Sequence, residues 1–192
     1  MSKMGEAYMM SLITLIEKSQ GSPIILKNIL NSAAYKELSL DEQATILLNI
    51  AENSMENTEV LMSILKQLQL KLQSNEFDNT PIFFNALISL IKHSNGNKTV
   101  LSQLLDQLYG ISIENFSVKQ QQEFLIAAVE NINGNIQILQ DVLGQLNQMF
   151  FSSYISQQII PSAVMILVAM INCANGNVDL LREIFHNYLQ EN

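Results

Sequence analysis

Leu87-Ile88-Ser89-Leu90-Ile91-Lys92-His93-Ser94-Asn95-Gly96-Asn97-Lys98-Thr99-Val100-Leu101-Ser102-Gln103-Leu104-Leu105 decides the fold. Before the glycine, apolar pairs stand at 87/88 and 90/91. After it they stand at 100/101 and 104/105. Apolar residues three and four apart fall on one side of an α-helix, so each half of the stretch reads as an amphipathic helix. Gly96 sits where a helix closes in the left-handed conformation, which glycine adopts without a Cβ penalty. Asn97 offers a side-chain oxygen to the free amides at the start of the next helix. The stretch therefore predicts a helical hairpin joined by a tight turn.

The same arrangement recurs on both sides. Gly21-Ser22, Glu56-Asn57, Gly134-Asn135 and Gly176-Asn177 align with Gly96-Asn97, and the five anchors lie 35, 40, 38 and 42 residues apart. Counting from the first residue of each anchor, positions −9, −8, −6 and −5 and positions +4, +5, +8 and +9 are apolar in all five copies. In the first copy these are Leu12, Ile13, Leu15 and Ile16, then Ile25, Leu26, Ile29 and Leu30; in the last they are Leu167, Val168, Met170 and Ile171, then Leu180, Leu181, Ile184 and Phe185. Chance does not fill eight positions in five copies of a chain that is 48% apolar. The periodicity predicts first helices over 5–19, 40–54, 81–94, 118–132 and 161–174, and second helices over 22–33, 57–73, 97–109, 135–149 and 177–190. Capping-box patterns at Ser39/Glu42 and Ser117/Gln120, and prolines at Pro81 and Pro161, mark helix starts. The long link from Phe150 to Ile160 has room for a short extra helix.

One hairpin cannot bury both of its stripes alone, whereas hairpins stacked side by side form a continuous core. The expected architecture is all-α: a single repeat domain over 1–192, with hairpins at about 5–33, 40–73, 81–109, 118–149 and 161–190, forming a short right-handed α-solenoid or, alternatively, a compact helical bundle. The segment Leu47-Leu48-Asn49-Ile50-Ala51-Glu52-Asn53 followed by Glu56-Asn57 resembles the A-L-x-N-L-A…x-E-N stretch of armadillo repeats. The unit length is similar to that of armadillo and HEAT repeats. The proline, aspartate and arginine marks of HEAT units and the tetratricopeptide Trp-Leu-Gly-Tyr pattern are absent. The resemblance implies a scaffold that binds other proteins.

Composition narrows the function. Charged residues make up 15% of the chain, and 20 Asn with 17 Gln take their place on the surface. Neutral amides cost less to desolvate than charges, so such a surface enters an interface readily. The net charge is −8, with Arg182 the only arginine, and no basic stripe exists to neutralise phosphates. Nucleic acid and anionic membranes are therefore not expected partners. Ile159 to Ala174 is the most apolar stretch, but Pro161, Ser162 and Asn172 interrupt it, and it reads as a buried helix rather than a membrane span. The one cysteine, Cys173, has no partner for a disulfide and fits a reducing compartment. A vocabulary leaning toward Asn, Ile and, in place of arginine, Lys suggests an AT-rich genome. A cytoplasmic protein, or an effector secreted to act in a host cytosol, fits that reading.

Neither metal-ligand spacing nor a phosphate-binding glycine motif is present, and His186 with Glu183 makes only half of a metal pair. Cys173 has no basic neighbour in sequence to activate it. No enzyme activity, cofactor or metal is expected. The repeat nominates a binding surface instead. Position +7 reads Asn28, Ser63, Gln103, Asp141 and Glu183, and position +11 reads Ser32, Gln67, Gln107, Gln145 and Asn187. If the second helices line a groove, these rows offer amides to an extended peptide and turn acidic toward Glu183. The function expected is a scaffold for a protein or peptide partner, with Gln67, Gln103, Gln107, Asp141, Gln145, Glu183 and Asn187 as contact residues. The alternatives are an acidic inhibitor or immunity-type protein that blocks a basic site on an enzyme, and a self-associating structural protein.

Overall fold

The computed structural model of the chain describes residues 3–73, 81–110, 116–152 and 159–186. The protein is all-α: among these residues every element is helical. The first helices of the five hairpins are α1 (Lys3–Lys18), α4 (Leu40–Glu52), α6 (Pro81–Lys92), α8 (Val118–Glu130) and α10 (Ile159–Cys173). The second helices are α2 (Pro23–Asn31), α5 (Thr58–Gln73), α7 (Lys98–Gly110), α9 (Ile136–Ser152) and α11 (Val178–Ile184).

One further helix, α3 (Ala33–Lys36), lies where the sequence reads as a plain link. Ser32 accepts a hydrogen bond from the Tyr35 amide and so caps this turn, and Tyr35 is buried as its apolar anchor. The extra helix expected after Phe150 has a different outcome. Helix α9 runs on to Ser152 and α10 opens at Ile159, while 153–158 lie outside the described residues. Pro161 is thus the third residue of α10 rather than its first. It still falls in the first turn, where amides have no partner within the helix to lose.

All five anchors form one kind of turn. Each places two consecutive residues at positive φ: Gln20 and Gly21 (50° and 74°), Met55 and Glu56 (48° and 61°), Asn95 and Gly96 (45° and 74°), Asn133 and Gly134 (46° and 79°), and Asn175 and Gly176 (47° and 77°). Two positive φ values at the centre of a four-residue turn are the signature of type I′. The closing hydrogen bond runs from the Ser22, Asn57, Asn135 and Asn177 amides to the carbonyls of Ser19, Ser54, Ile132 and Ala174. Asparagine tolerates the left-handed region better than other side chains, which explains Asn95, Asn133 and Asn175. In the last four turns the asparagine that follows then caps the next helix, whereas Ser22 after the first turn makes no side-chain cap bond. Asn57, Asn97 and Asn177 accept from the amides three residues on, at 3.2, 3.2 and 2.9 Å, and Asn135 accepts from Gln137 at 3.2 Å. A cap of this kind contributes about 1 kcal/mol.

The first turns of α4 and α8 share a second device. Ser39 with Glu42, and Ser117 with Gln120, form complete capping boxes. One residue further on, Gln43 and Gln121 reach back with Nε2 to the carbonyls of Leu38 (2.8 Å) and Phe116 (2.9 Å), residues that are themselves buried. The entry of the chain into both helices is thereby fixed by a polar clasp over an apolar plug.

By contact the backbone divides into two compact units, Met1–Ser94 and Asn95–Asn192, and the division falls at the turn of the third hairpin. In the first unit α1 packs on α4 and α4 on α6, while α2 packs on α5. In the second unit α8 packs on α10, while α7 packs on α9. Within each unit, first helices thus meet first helices and second helices meet second helices, in chain order, a packing that suits a helical bundle or a solenoid. The apolar stripes supply the core: Leu47, Ile50 and Leu61 in one unit, and Val129, Leu139 and Val142 in the other, are fully buried. Each such side chain contributes roughly 1.5–3 kcal/mol when withdrawn from water.

The turns pack as well. A Cβ on Gly96 would meet Asn133 Cβ and the Ile132 carbonyl oxygen, both at 2.6 Å, and Asn133 Nδ2 donates to Asn95 Oδ1 at 3.3 Å. The third and fourth turns therefore touch through backbone, at a spacing that only glycine permits.

Candidate interaction surface

The second helices carry the polar rows that the sequence nominates, and each unit holds its own segment of them. In the first unit, α2 on α5 brings the two copies of position +7 onto neighbouring helices: Asn28 is exposed, and Ser63 is half-buried with its hydroxyl donating to the Glu59 carbonyl at 2.7 Å. Lys27 and Glu59 add an exposed ion pair between the same helices at 3.2 Å. Exposed pairs of this type contribute little, up to about 1 kcal/mol. At position +11, Gln67 is half-buried, and Ser32 is engaged in capping α3. That engagement removes Ser32 from the row, because its hydroxyl also donates to the Ile29 carbonyl at 2.7 Å.

In the second unit, α7 on α9 brings Gln103 and Asp141 onto adjacent helices. Gln103 is exposed and Asp141 half-buried. Both carboxylate oxygens of Asp141 are held from within the unit: Ser102 Oγ donates to one at 3.0 Å and Gln137 Nε2 to the other at 3.3 Å. Asp141 is thus a rung between helices as well as a surface acid. Glu183 is exposed on α11. Gln107 and Gln145 occupy helical positions on α7 and α9, with side chains outside the described residues, and Asn187 lies outside them altogether. The structure therefore places Gln103 and Asp141 on packed helices of one unit and Gln67 in the other.

Residues with reactive chemistry are scattered. Burial pushes the Cys173 thiol up, and the nearby Glu130 carboxylate adds to the shift, so the side chain is held away from the thiolate form that attacks or binds metal. His93 is half-buried at the end of α6, and His186 is exposed beside the Phe185 ring. Among the described residues, no group of three or more His, Cys, Asp or Glu side chains comes together as a metal site. Nor is any helix there long and apolar enough to cross a membrane.

Sequence reasoning missed the Ser102–Asp141 rung and the Gln43 and Gln121 clasps. The clasps had a signal, since both glutamines stand four residues after a capping serine. The rung had none, because it depends on which faces of two helices meet. No family model, no curated protein and no solved structure matches this chain.

Proposed function

We propose that the chain is a non-enzymatic binding scaffold of α-solenoid form that holds a protein or peptide partner on a polar surface lined by the second helix of each hairpin. The observation that carries this reading is the order of packing within the units. Because α2 lies on α5 and α7 on α9, second helices of successive copies pack together within each unit, and the +7 positions they carry are polar: Asn28 and Ser63, and Gln103 and Asp141. An amide carries donors and an acceptor together, so a row of amides and hydroxyls can pair with an extended backbone of any sequence. The neutral composition keeps the desolvation cost of such a contact low. The armadillo-like stretch at 47–57 points in the same direction.

The test is quantitative capture by cross-linking from cells of the native source. Gln103→Ala with Glu183→Ala truncates two exposed positions that make no core contact, so the urea midpoint is expected to hold. Recovery of the partner is expected to fall several-fold. Full recovery of every captured protein by the double variant sinks the reading.

A further inference from the structure

Three of the five turns carry the same tripeptide. Asn95-Gly96-Asn97, Asn133-Gly134-Asn135 and Asn175-Gly176-Asn177 place Asn-Gly at the centre of a type I′ turn, and all three lie in the second unit. Asn-Gly is also a dipeptide prone to cyclise. Without a Cβ, glycine leaves its own amide nitrogen unscreened, and that nitrogen can attack the asparagine side chain beside it. A bond forms from the glycine nitrogen to Cγ and the Cγ–Nδ2 bond breaks. The product is a five-membered imide, and ammonia departs carrying the proton that the glycine nitrogen gave up. Water then opens the ring. Breaking the new N–Cγ bond leaves aspartate, whereas breaking the original peptide bond leaves isoaspartate, with the chain routed through Cβ. One water enters, one ammonia leaves, no electron is transferred, and the chain gains one negative charge.

The folded turn opposes this reaction. The first central residue of a type I′ turn has ψ of about +30°. At that angle the asparagine Cβ and the glycine nitrogen point to opposite sides of the Cα–C bond, out of bonding reach. The peptide has to swing through most of a half-turn first. That motion breaks the closing hydrogen bond, which runs from the Asn135 amide to the Ile132 carbonyl in the fourth turn and from the Asn177 amide to the Ala174 carbonyl in the fifth, both at 2.9 Å. The rate at each site is therefore governed by how readily its turn opens.

The three turns differ in bracing. All three asparagines are exposed, so access of water does not separate them. The third and fourth turns hold each other: a Cβ on Gly96 would lie 2.6 Å from both Asn133 Cβ and the Ile132 carbonyl oxygen, and Asn133 Nδ2 donates to Asn95 Oδ1 at 3.3 Å. One repeat further on, Gly134 is the counterpart of Gly96, and Asn175 the counterpart of Asn133. A Cβ on Gly134 would nevertheless have nothing within 4 Å. The fifth turn thus does not rest on the fourth, and Asn175 lacks the contact that Asn133 makes with the turn before it.

We propose that Asn175 is a site of spontaneous deamidation through a cyclic imide, and that Asn95 and Asn133 are shielded from it by the packing of their two turns. Isoaspartate at 175 adds a backbone atom inside the turn. The closure from Asn177 to Ala174 then falls out of register, and with it the Asn177 side chain that caps α11 at 2.9 Å.

Peptide mapping by mass spectrometry tests the proposal on the full, unmutated chain. The protein is held in mildly alkaline buffer below the onset of thermal unfolding and sampled over time. Asparagine, aspartate and isoaspartate are then quantified at each of the three sites. A parallel sample in concentrated urea gives the rate of each site without its fold. Because the tripeptide is the same, the ratio of native to urea rate isolates what the fold contributes. That ratio is expected to be higher at Asn175 than at Asn95 or Asn133 by roughly 2- to 12-fold, the shift in an opening equilibrium that one net hydrogen bond produces. Equal ratios at the three sites overturn the proposal. So does a higher ratio at Asn95 or Asn133, or an Asn175 that converts in urea and stays intact in native buffer.

Discussion

Alanine at Gly96, Gly134 and Gly21 separates two costs that a turn glycine can hide. All three residues lie at φ between 74° and 79°, so a Cβ meets its own backbone equally in each, at about 1–2 kcal/mol. Their surroundings differ. At Gly134 a new Cβ has nothing within 4 Å. At Gly21 it would meet the Met55 side chain, with Cγ at 2.8 Å and Sδ at 2.9 Å, but that side chain is largely exposed and can swing aside. At Gly96 it would lie 2.6 Å from the Ile132 carbonyl oxygen and 2.9 Å from the carbonyl carbon. Backbone cannot swing aside, so the third and fourth turns must separate, an overpacking cost of about 1–3 kcal/mol beyond the local strain. Gly96→Ala is therefore expected to destabilise by about 2–5 kcal/mol, against about 1–2 kcal/mol for Gly134→Ala and for Gly21→Ala. Urea unfolding followed by far-UV circular dichroism reads the difference. With a slope of about 2 kcal/mol per molar, Gly96→Ala should lose about a further 0.5–1.5 M of midpoint. Equal midpoints for Gly96→Ala and Gly134→Ala would refute the reasoning, because turn-to-turn packing would then contribute nothing.

Two other predictions concern the first unit. Hydrogen bonds from the Ser39 hydroxyl, and then from its backbone amide, hold the Glu42 carboxyl below its ordinary range. Its contribution is therefore complete above the unfolded value of about 4.3 and is lost as pH falls through the lower folded value. Glu42→Gln keeps the box with a neutral acceptor, as Gln120 does in α8, so its urea midpoint should decline less between neutral and acidic pH than the parent's; parallel declines would contradict the assignment. Tyr35 buries a hydroxyl with no hydrogen-bond partner among the described residues, and burial raises its ionisation far above the ordinary tyrosine value. Removing an unpaired buried hydroxyl relieves a desolvation cost of about 1–3 kcal/mol, so Tyr35→Phe should match or exceed the parent's midpoint, and a clear loss of stability would reveal a partner for that oxygen.

The helices and their buried sides were legible because burial repeats with the helical period. Ile50, Leu90 and Met170 are core for the same reason that they align. The turns were half legible. Gly96-Asn97 was read as a helix end followed by a cap, but the residue before the glycine shares the left-handed conformation, and Asn-Gly at 95–96, 133–134 and 175–176 is the dipeptide that type I′ turns favour. Met55-Glu56 shows why residue type alone falls short. Neither residue favours positive φ, yet both adopt it, so the packing of the hairpin overrides local preference. Helix α3 was missed because Ser32 was assigned to a surface row on its spacing, while its actual task is to cap the four residues that follow. The candidate surface was legible as a pattern of amides. Which polar side chains face solvent and which are spent inside, as the Asp141 carboxylate is with Ser102 and Gln137, depends on how neighbouring helices rotate, and one chain's periodicity does not encode that.

The stacking of each helix on partners close to it along the chain has a kinetic corollary. The principal pairings, α4 with α6 and α8 with α10 among them, join elements separated by a single intervening helix. Little loop entropy has to be surrendered before such contacts form, so assembly is expected to be fast for a chain of 192 residues. Within each unit it can begin at whichever hairpin closes first, and a neighbouring hairpin is then added to a template already in place.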